Sequence, residues 1–110
     1  RLVAGTMGGE LQPQIHASLL ARVLARGERV DGALRAPRWA VSLEPGRDDP
    51  SIALESGVPE AARRSLARVG ALEDLGAASE TLGHAQLIEI GPGGFEAGSD
   101  PRADGSAWAR

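Results

Sequence analysis

The period of the apolar positions changes several times along the chain, and each change predicts an element. Leu2 to Ala4 is a short apolar run that reads as a strand broken at Gly5. From Gln14 onward Ile15, Leu19, Leu20, Val23 and Leu24 fall at helical spacing and form one stripe, which predicts a helix over 13–26. Pro13 suits its first turn, where a missing N–H costs nothing, and Gly27 suits a left-handed C-cap. A short helix follows, with Asp31 as its N-cap and Pro37 ending it at Ala36. Trp39 to Leu43 alternates and predicts a strand. Residues 44–50 have turn composition and predict a charged surface loop. Ile52 to Glu55 predicts a second short strand, placed to form a hairpin with the first.

Pro59 opens the next helix, with Ala62, Leu66 and Val69 on its apolar stripe. Arg63, Arg64 and Arg68 fall off that stripe and read as a solvated face, and Gly70 ends the helix. Residues 71–82 mix small residues with acids and predict loop with a short extended piece. Ala85 to Ile90 is a strong strand pattern. Gly91-Pro92-Gly93-Gly94 is turn chemistry, and Phe95 to Gly98 returns as its partner strand. Ser99 to Gly105 is a polar turn before a short tail with Trp108. The chain shows no internal repeat and no low-complexity linker.

Composition narrows the picture. The 110 residues suffice for one domain with a modest core, at 42% hydrophobic and 25% charged. Only 3% are aromatic, so Leu, Val, Ile and Ala must build that core, with Trp39, Phe95 and Trp108 as its only large anchors. A net charge of −3 and scattered basic residues argue against a nucleic-acid partner. The absence of cysteine excludes disulfides, Cys-ligated zinc and thiol catalysis. No apolar run approaches membrane-spanning length. All twelve basic residues are Arg, a bias that speaks of a GC-rich genome and leaves the compartment open. The chain starts at Arg1 and runs straight into a strand, which suggests a fragment or a piece of a processed precursor.

The chemistry concentrates in the first turn. A strand, the glycine pair Gly8-Gly9 and a helix follow one another directly. Glycine lets a ligand approach the backbone, and the first amides of a helix have no partner inside it. The junction is therefore a candidate cradle for an anion or an oxyanion. Taken alone, a ligand-free tight turn is the simpler reading, because turn glycines are common. No Gly-Lys-Ser/Thr phosphate loop and no G-x-G-x-x-G spacing are present. His16 and His84 lack a carboxylate at metal-ligand offsets and read as structural, so no metal and no cofactor are implied. Asp48 and Asp49 read as an exposed loop. Asp100 with Arg102, and Asp104 nearby, offer an ion-pair turn, but a structural corner held by side-chain-to-backbone bonds is the favoured reading. No serine sits in a G-x-S-x-G elbow, so the cradle comes without a nucleophile.

The order of motifs says more than any one of them. Gly5-Thr6-Met7-Gly8-Gly9-Glu10 and Gln12-Pro13-Gln14 come first. Then come Ala36-Pro37-Arg38-Trp39, Leu54-Glu55, Leu82-Gly83-His84-Ala85-Gln86, and Ser99-Asp100-Pro101-Arg102-Ala103-Asp104-Gly105. From about residue 3 to residue 107 this order resembles the C-terminal part of the small subunit of γ-glutamyltransferases (γ-glutamyltranspeptidases).

The resemblance implies an N-terminal-nucleophile hydrolase with a four-layer αββα fold. In that family a precursor cuts itself, and the new N-terminal Thr attacks a γ-glutamyl amide such as that of glutathione. The acyl-enzyme then passes to water or to an amino acid. A Gly-Gly pair supplies oxyanion-hole N–H groups, and it matches Gly8 and Gly9; such donors are worth roughly 3–4 kcal/mol each in acyl transfer. The family's nucleophile and its substrate-reading residues lie upstream of the matched region. Thr6 is internal and is not that nucleophile, so this chain is expected to be inactive alone. Ala36 to Trp39 and the Asp100-to-Gly105 turn read as structural marks of the family.

The expected fold class is α/β (α+β), a partial αββα sandwich with a mostly antiparallel sheet and helices packed on it. Residues 1–110 form one domain or a fragment of one. Expected partners are the rest of the small subunit, the large subunit and a γ-glutamyl amide. Two other functional classes stay open: a non-catalytic piece that stands alone or self-associates through an open sheet edge, and part of a related acylase with another amide substrate.

Overall fold

A computed structural model describes residues 1–42 and 49–108. Strand β1 (Leu2–Met7) alternates cleanly, with Leu2, Ala4 and Thr6 turned inward and Val3, Gly5 and Met7 exposed. Gly5 does not break it: the pairing with Gln86 continues to Met7 opposite His84, because Gly5 lies on the open face, where no side chain is needed for packing. A 3-10 turn (Gly9–Leu11) leads into α1 (Gln12–Leu20), with Pro13 in its first turn. The helix then widens into one π turn (Ala21–Ala25) and stops at Gly27, whose φ is +67°. The extra residue of the wider turn rotates the stripe. Val23 stays in the core, and Leu24, expected on the stripe, is exposed.

Helix α2 (Val30–Arg35) begins one residue earlier than its predicted cap. Arg29 occupies the N-cap, so Asp31 sits in the first turn and pairs with Arg35 at 3.0 Å instead of capping. Ala36 turns extended before Pro37, as the Pro requires. Ile15, Leu19, Val30 and Leu34 of the two helices pack on Ala85 and Leu87. These belong to a sheet of order β1-β5-β6, with β5 (His84–Gly91) antiparallel to β1 and to β6 (Gly94–Ser99).

The second sheet has the order β2-β3-β4. Its β2 (Trp39–Ser42) and β3 (Ser51–Leu54) form the predicted antiparallel pair; Leu43 and most of the charged loop, residues 44–48, lie outside the described residues. Helix α3 (Glu60–Leu66) crosses from β3 to β4 (Ala71–Asp74), which pairs parallel to β3. The ambiguous stretch 71–82 is thus a true strand followed by a 3-10 turn (Glu80–Leu82). Ile52, Leu54, Val58 and Leu66 make this sheet's own core. Gln14 ties the two halves together. Its side-chain amide accepts from the Val41 N–H and donates to the Val41 C=O, both at 2.8 Å, and so completes the edge of β2 as a neighbouring strand would.

Three expectations about packing fail. None of the large aromatic residues anchors the core: Trp39 is 44%, Phe95 70% and Trp108 89% exposed, and aliphatic side chains fill the interior. Val69 lies beyond the end of α3 and is exposed. Arg63 is not on a solvated face with Arg64 and Arg68. Its guanidinium donates to the carbonyls of Glu55 and Val58, both at 3.1 Å, and to Asp74 at 2.6 Å.

Asp74 also accepts from the Gly76 N–H and the Ser56 hydroxyl. The Arg63 bond, then those of Gly76 and Ser56, hold its carboxyl at about 2 against an ordinary 3.8. A folded-state value below the unfolded one stabilises above the unfolded value and is lost as pH falls through the folded one. Asp74→Asn is expected to flatten the fall of the urea midpoint between about pH 4 and pH 2 and to leave the pH 5–8 plateau level. An unchanged acid limb would count against this assignment.

The fold class is α/β (α+β): helices cover one face of an antiparallel sheet, and the other face, with Val3, Met7, Ile88 and Phe95, is open. That is the layering of half a sandwich. Among the described residues no helix is long and apolar enough to cross a membrane.

Candidate active site

The Gly8-Gly9 turn stands at the end of β1, where the chain leaves the sheet for α1. The two glycines serve different needs. Gly9 has φ +55°, a conformation that residues with a side chain rarely adopt, and a Cβ there would meet nothing within 4 Å. Gly8, at φ 170°, is under no such constraint: a Cβ there would meet the tip of the Ile15 side chain, Cδ1, at 2.6 Å, and that tip would have to shift. The Gly8 carbonyl accepts from the Leu11 N–H at 3.0 Å. Among the described residues the amides of Gly8 and Gly9 donate no turn, loop or cap hydrogen bond. Two neighbouring amides without acceptors among the described residues suit a negatively charged oxygen.

The turn rests on a second glycine-dependent position. Gly83 has φ +71°, and a Cβ on it would lie 2.3 Å from the Met7 carbonyl oxygen and 3.2 Å from the Gly8 Cα. The backbones of β1 and β5 therefore touch directly beneath the turn. Gln12 holds it from the other side, donating to the Thr6 carbonyl at 3.0 Å.

Thr6 and His16 meet, which the sequence did not suggest. Thr6 Oγ1 is 3.1 Å from His16 Nδ1. The pair lies on the helix-covered side of β1, and among the described residues no carboxylate contacts His16. It ties β1 to α1 and lacks the third group that would orient a general base. His84 faces the open side with Met7, in a shallow recess with Gly5 and Gln86. Asp49 is exposed, and Asp48 is outside the described residues. Among the described residues no three His, Asp or Glu side chains stand together as a metal site.

Behind the turn lies a buried charge cluster. Arg102 donates to both Glu55 oxygens, Nε to Oε1 at 2.6 Å, and through Nη1 to Asp100 Oδ1 and the Leu34 carbonyl. Asp100 accepts from the Ala85 N–H at 2.9 Å and the Arg102 N–H at 3.0 Å. Glu55 accepts from the backbone N–H of Arg38 and of Ser79. Arg38 pairs with Asp100 across 2.5 Å, out of hydrogen-bond alignment. All four side chains are buried. Two guanidinium groups and two carboxylates balance, the condition under which ions survive burial.

The environment treats the two arginines differently. Burial pulls both down. Hydrogen bonds and charge from Glu55, then Asp100, outweigh it at Arg102, which lies above its ordinary value. At Arg38 burial and the charge of Arg102 outweigh Asp100, and it lies below.

The predicted corner at Asp100 and Arg102 is thus real, but it is part of a larger cluster, and Asp104 is exposed outside it. Glu55 and Arg38 had no chemical signal of their own in the sequence. The available hint was their position: each is a charge at the end of an alternating apolar strand, where an inward-facing place must be satisfied by a partner.

The gamma-glutamyltranspeptidase family model matches residues 1–109. The oxamate amidohydrolase proenzyme of Klebsiella pneumoniae is 35% identical over 108 residues, 96% of this chain and 20% of its own length. The glutathione hydrolase-like YwrD proenzyme of Bacillus subtilis is 31% identical over 109 residues, 97% of this chain and 21% of its own. The chain thus spans about a fifth of the curated relatives it matches. The gamma-glutamyltranspeptidase of Pseudomonas nitroreducens, solved with L-DON, superposes with a TM-score of 0.75 at 27% identity, over 99% of this chain and 55% of that one. With the family pattern matched from end to end and the same fold in a solved member, this chain belongs to the gamma-glutamyltranspeptidase family of N-terminal-nucleophile hydrolases.

Proposed function

We propose that this chain works as part of a longer amide-splitting enzyme and presents the Gly8 and Gly9 amides to the oxyanion that forms when an acyl-enzyme is made or broken. The observation that carries this reading is the turn itself: two amides without acceptors among the described residues, beside the backbone of Gly83. As the carbonyl carbon becomes tetrahedral, its oxygen gains charge, and preorganised N–H groups stabilise that state more than the ground state. The nucleophile, a Thr in this reading, and the groups that recognise the substrate come from the rest of the enzyme. The open apolar face of the β1-β5-β6 sheet fits assembly with that remainder.

Two substrate classes fit. A γ-glutamyl amide such as glutathione follows from the family, with water or an amino acid taking the acyl group. A small amide such as oxamate follows from the relative at 35% identity. The test takes the full-length protein through γ-glutamyl-p-nitroanilide hydrolysis and ammonia release from oxamate, beside the isolated chain. The full-length protein is expected to turn over one of the two and the isolated chain neither. Turnover by the isolated chain would overturn the division of labour. Gly9→Val in the full-length protein cannot keep the left-handed turn and is expected to lower kcat by about 100-fold with KM nearly kept. A folded variant with unchanged kcat would remove the oxyanion role. A second reading, self-association through β1, rests on that strand's unpaired edge. A monomeric mass for the isolated chain in sedimentation would dispose of it.

A further inference from the structure

The side chain of Arg38 reaches the underside of the candidate oxyanion turn. Its Nη1 donates to the Gly83 carbonyl at 2.9 Å and stands 3.5 Å from the Leu82 carbonyl. These carbonyls close the 3-10 turn Glu80–Leu82, and a cation is well placed there. Gly83 in turn is in backbone contact with Met7 and Gly8. Three elements are therefore linked in series: the start of β2 through Arg38, the start of β5 through Gly83, and the turn after β1.

Stability alone gives a poor account of this arginine. It is 4% exposed, and its Nε is buried with no hydrogen-bond partner among the described residues. Its contact with Asp100 is misaligned for hydrogen bonding, and Asp100 already has Arg102. Burying an unsatisfied donor costs free energy that an apolar side chain of similar volume would not incur. Besides its ion pair with Asp100, the guanidinium is directed at the Gly83 and Leu82 carbonyls, beneath the turn.

We propose that Arg38 is a positioning residue: it fixes the Gly83 carbonyl and thereby the placement of the Gly8 and Gly9 amides. This rests on the reading of those amides as oxyanion donors. Asp100 and the Glu55 carboxylate, which accepts from the Arg38 backbone N–H at 2.9 Å, set where the guanidinium stands. Misplaced donors lose their effect on the transition state while ground-state binding survives, so the signature is in kcat.

The test uses the full-length enzyme and whichever of the two amides it turns over. R38K keeps the buried charge but cannot hold Gly83 and Asp100 with one planar fork. It is expected to lower kcat by about tenfold or more, with KM within about twofold. R22M, which breaks the part-buried Arg22–Glu28 pair (3.0 Å) and touches none of these groups, is the matched control: it lowers the Tm and leaves kcat in place. A folded R38K with kcat within about twofold of the parent overturns the proposal, and so does an equal fall in R22M, since either makes the role merely structural. If R38K fails to fold, R38Q decides by the same comparison. Should Gly9→Val also leave kcat untouched, the oxyanion reading itself has failed; if Gly9→Val is impaired and R38K is not, only the role of Arg38 falls.

Discussion

Arg102→Met is expected to destabilise the fold by about 3–5 kcal/mol, enough to leave much of the protein unfolded. Arg102 is the hub of the buried cluster. It serves Glu55, Asp100 and the carbonyls of Leu34 and Ala36, which belong to β3's end, the turn after β6 and the end of α2. Without it, two buried carboxylates face Arg38 alone, and both helix-end carbonyls lose their donor. The penalty comes from leaving charge uncompensated, so it is expected to shrink when a carboxylate is removed as well. Arg102→Met with Glu55→Gln should recover a good part of the loss. Urea unfolding of both variants measures it. A single variant within about 1 kcal/mol of the parent would mean that water or relaxation replaces the guanidinium and that the cluster matters little.

Gly83→Ala is expected to cost about 2–5 kcal/mol and to cut turnover with it. Two effects add: the left-handed φ is worth about 1–2 kcal/mol against a side chain, and forced overpacking about 1–3. The neighbours decide the sign. The new methyl would meet the Met7 carbonyl oxygen at 2.3 Å, and that is backbone paired into a sheet, not the tip of a flexible side chain. Gly9→Ala is the contrast, because nothing lies within 4 Å of that position and only the φ term applies. Thermal unfolding of the two variants, side by side, is expected to show Gly83→Ala melting well below Gly9→Ala. Equal losses would show that β1 and β5 can separate beneath the turn, and then Gly83 could not transmit the hold of Arg38.

The charge cluster also explains why the two sheets keep their places. Each sheet has its own apolar core, and the ions stand at the junction with Gln14. Apolar packing is indifferent to orientation, whereas a guanidinium bonded to four groups fixes it. That division of labour is the physical reason so many marks of the family motif are polar. Gln12 and Gln14 hold backbone, Arg38 and Arg102 hold carbonyls, and Asp100 holds the start of β5.

Local pattern was enough for much of the fold. The helix after the glycine pair, the β2–β3 pair and the β5–β6 hairpin were legible because side chains a few residues apart reveal the period directly. So were the stops at Gly27 and Pro37, which follow from backbone sterics. The stretch 71–82 was not, because β4 earns its place through parallel pairing with β3 on the far side of a helix. Trp39 and Phe95 misled for a related reason: hydrophobic size says what a residue could bury, and only the sheet's pleat says which way it points. Arg63 misled likewise, since its partner Asp74 is on another element.

The strand–glycine pair–helix junction is legible in the sequence, and the order of motifs around it ties the chain to a family. That much the sequence determines by itself, through local sterics and spacing. What holds that turn is decided only in three dimensions. Gly83 lies 75 residues from Gly8, and Arg38, Glu55 and Arg102 come from separate elements. Their meaning depends on which charges fold against each other, and a charge buried beside its partner is indistinguishable in sequence from one that faces water.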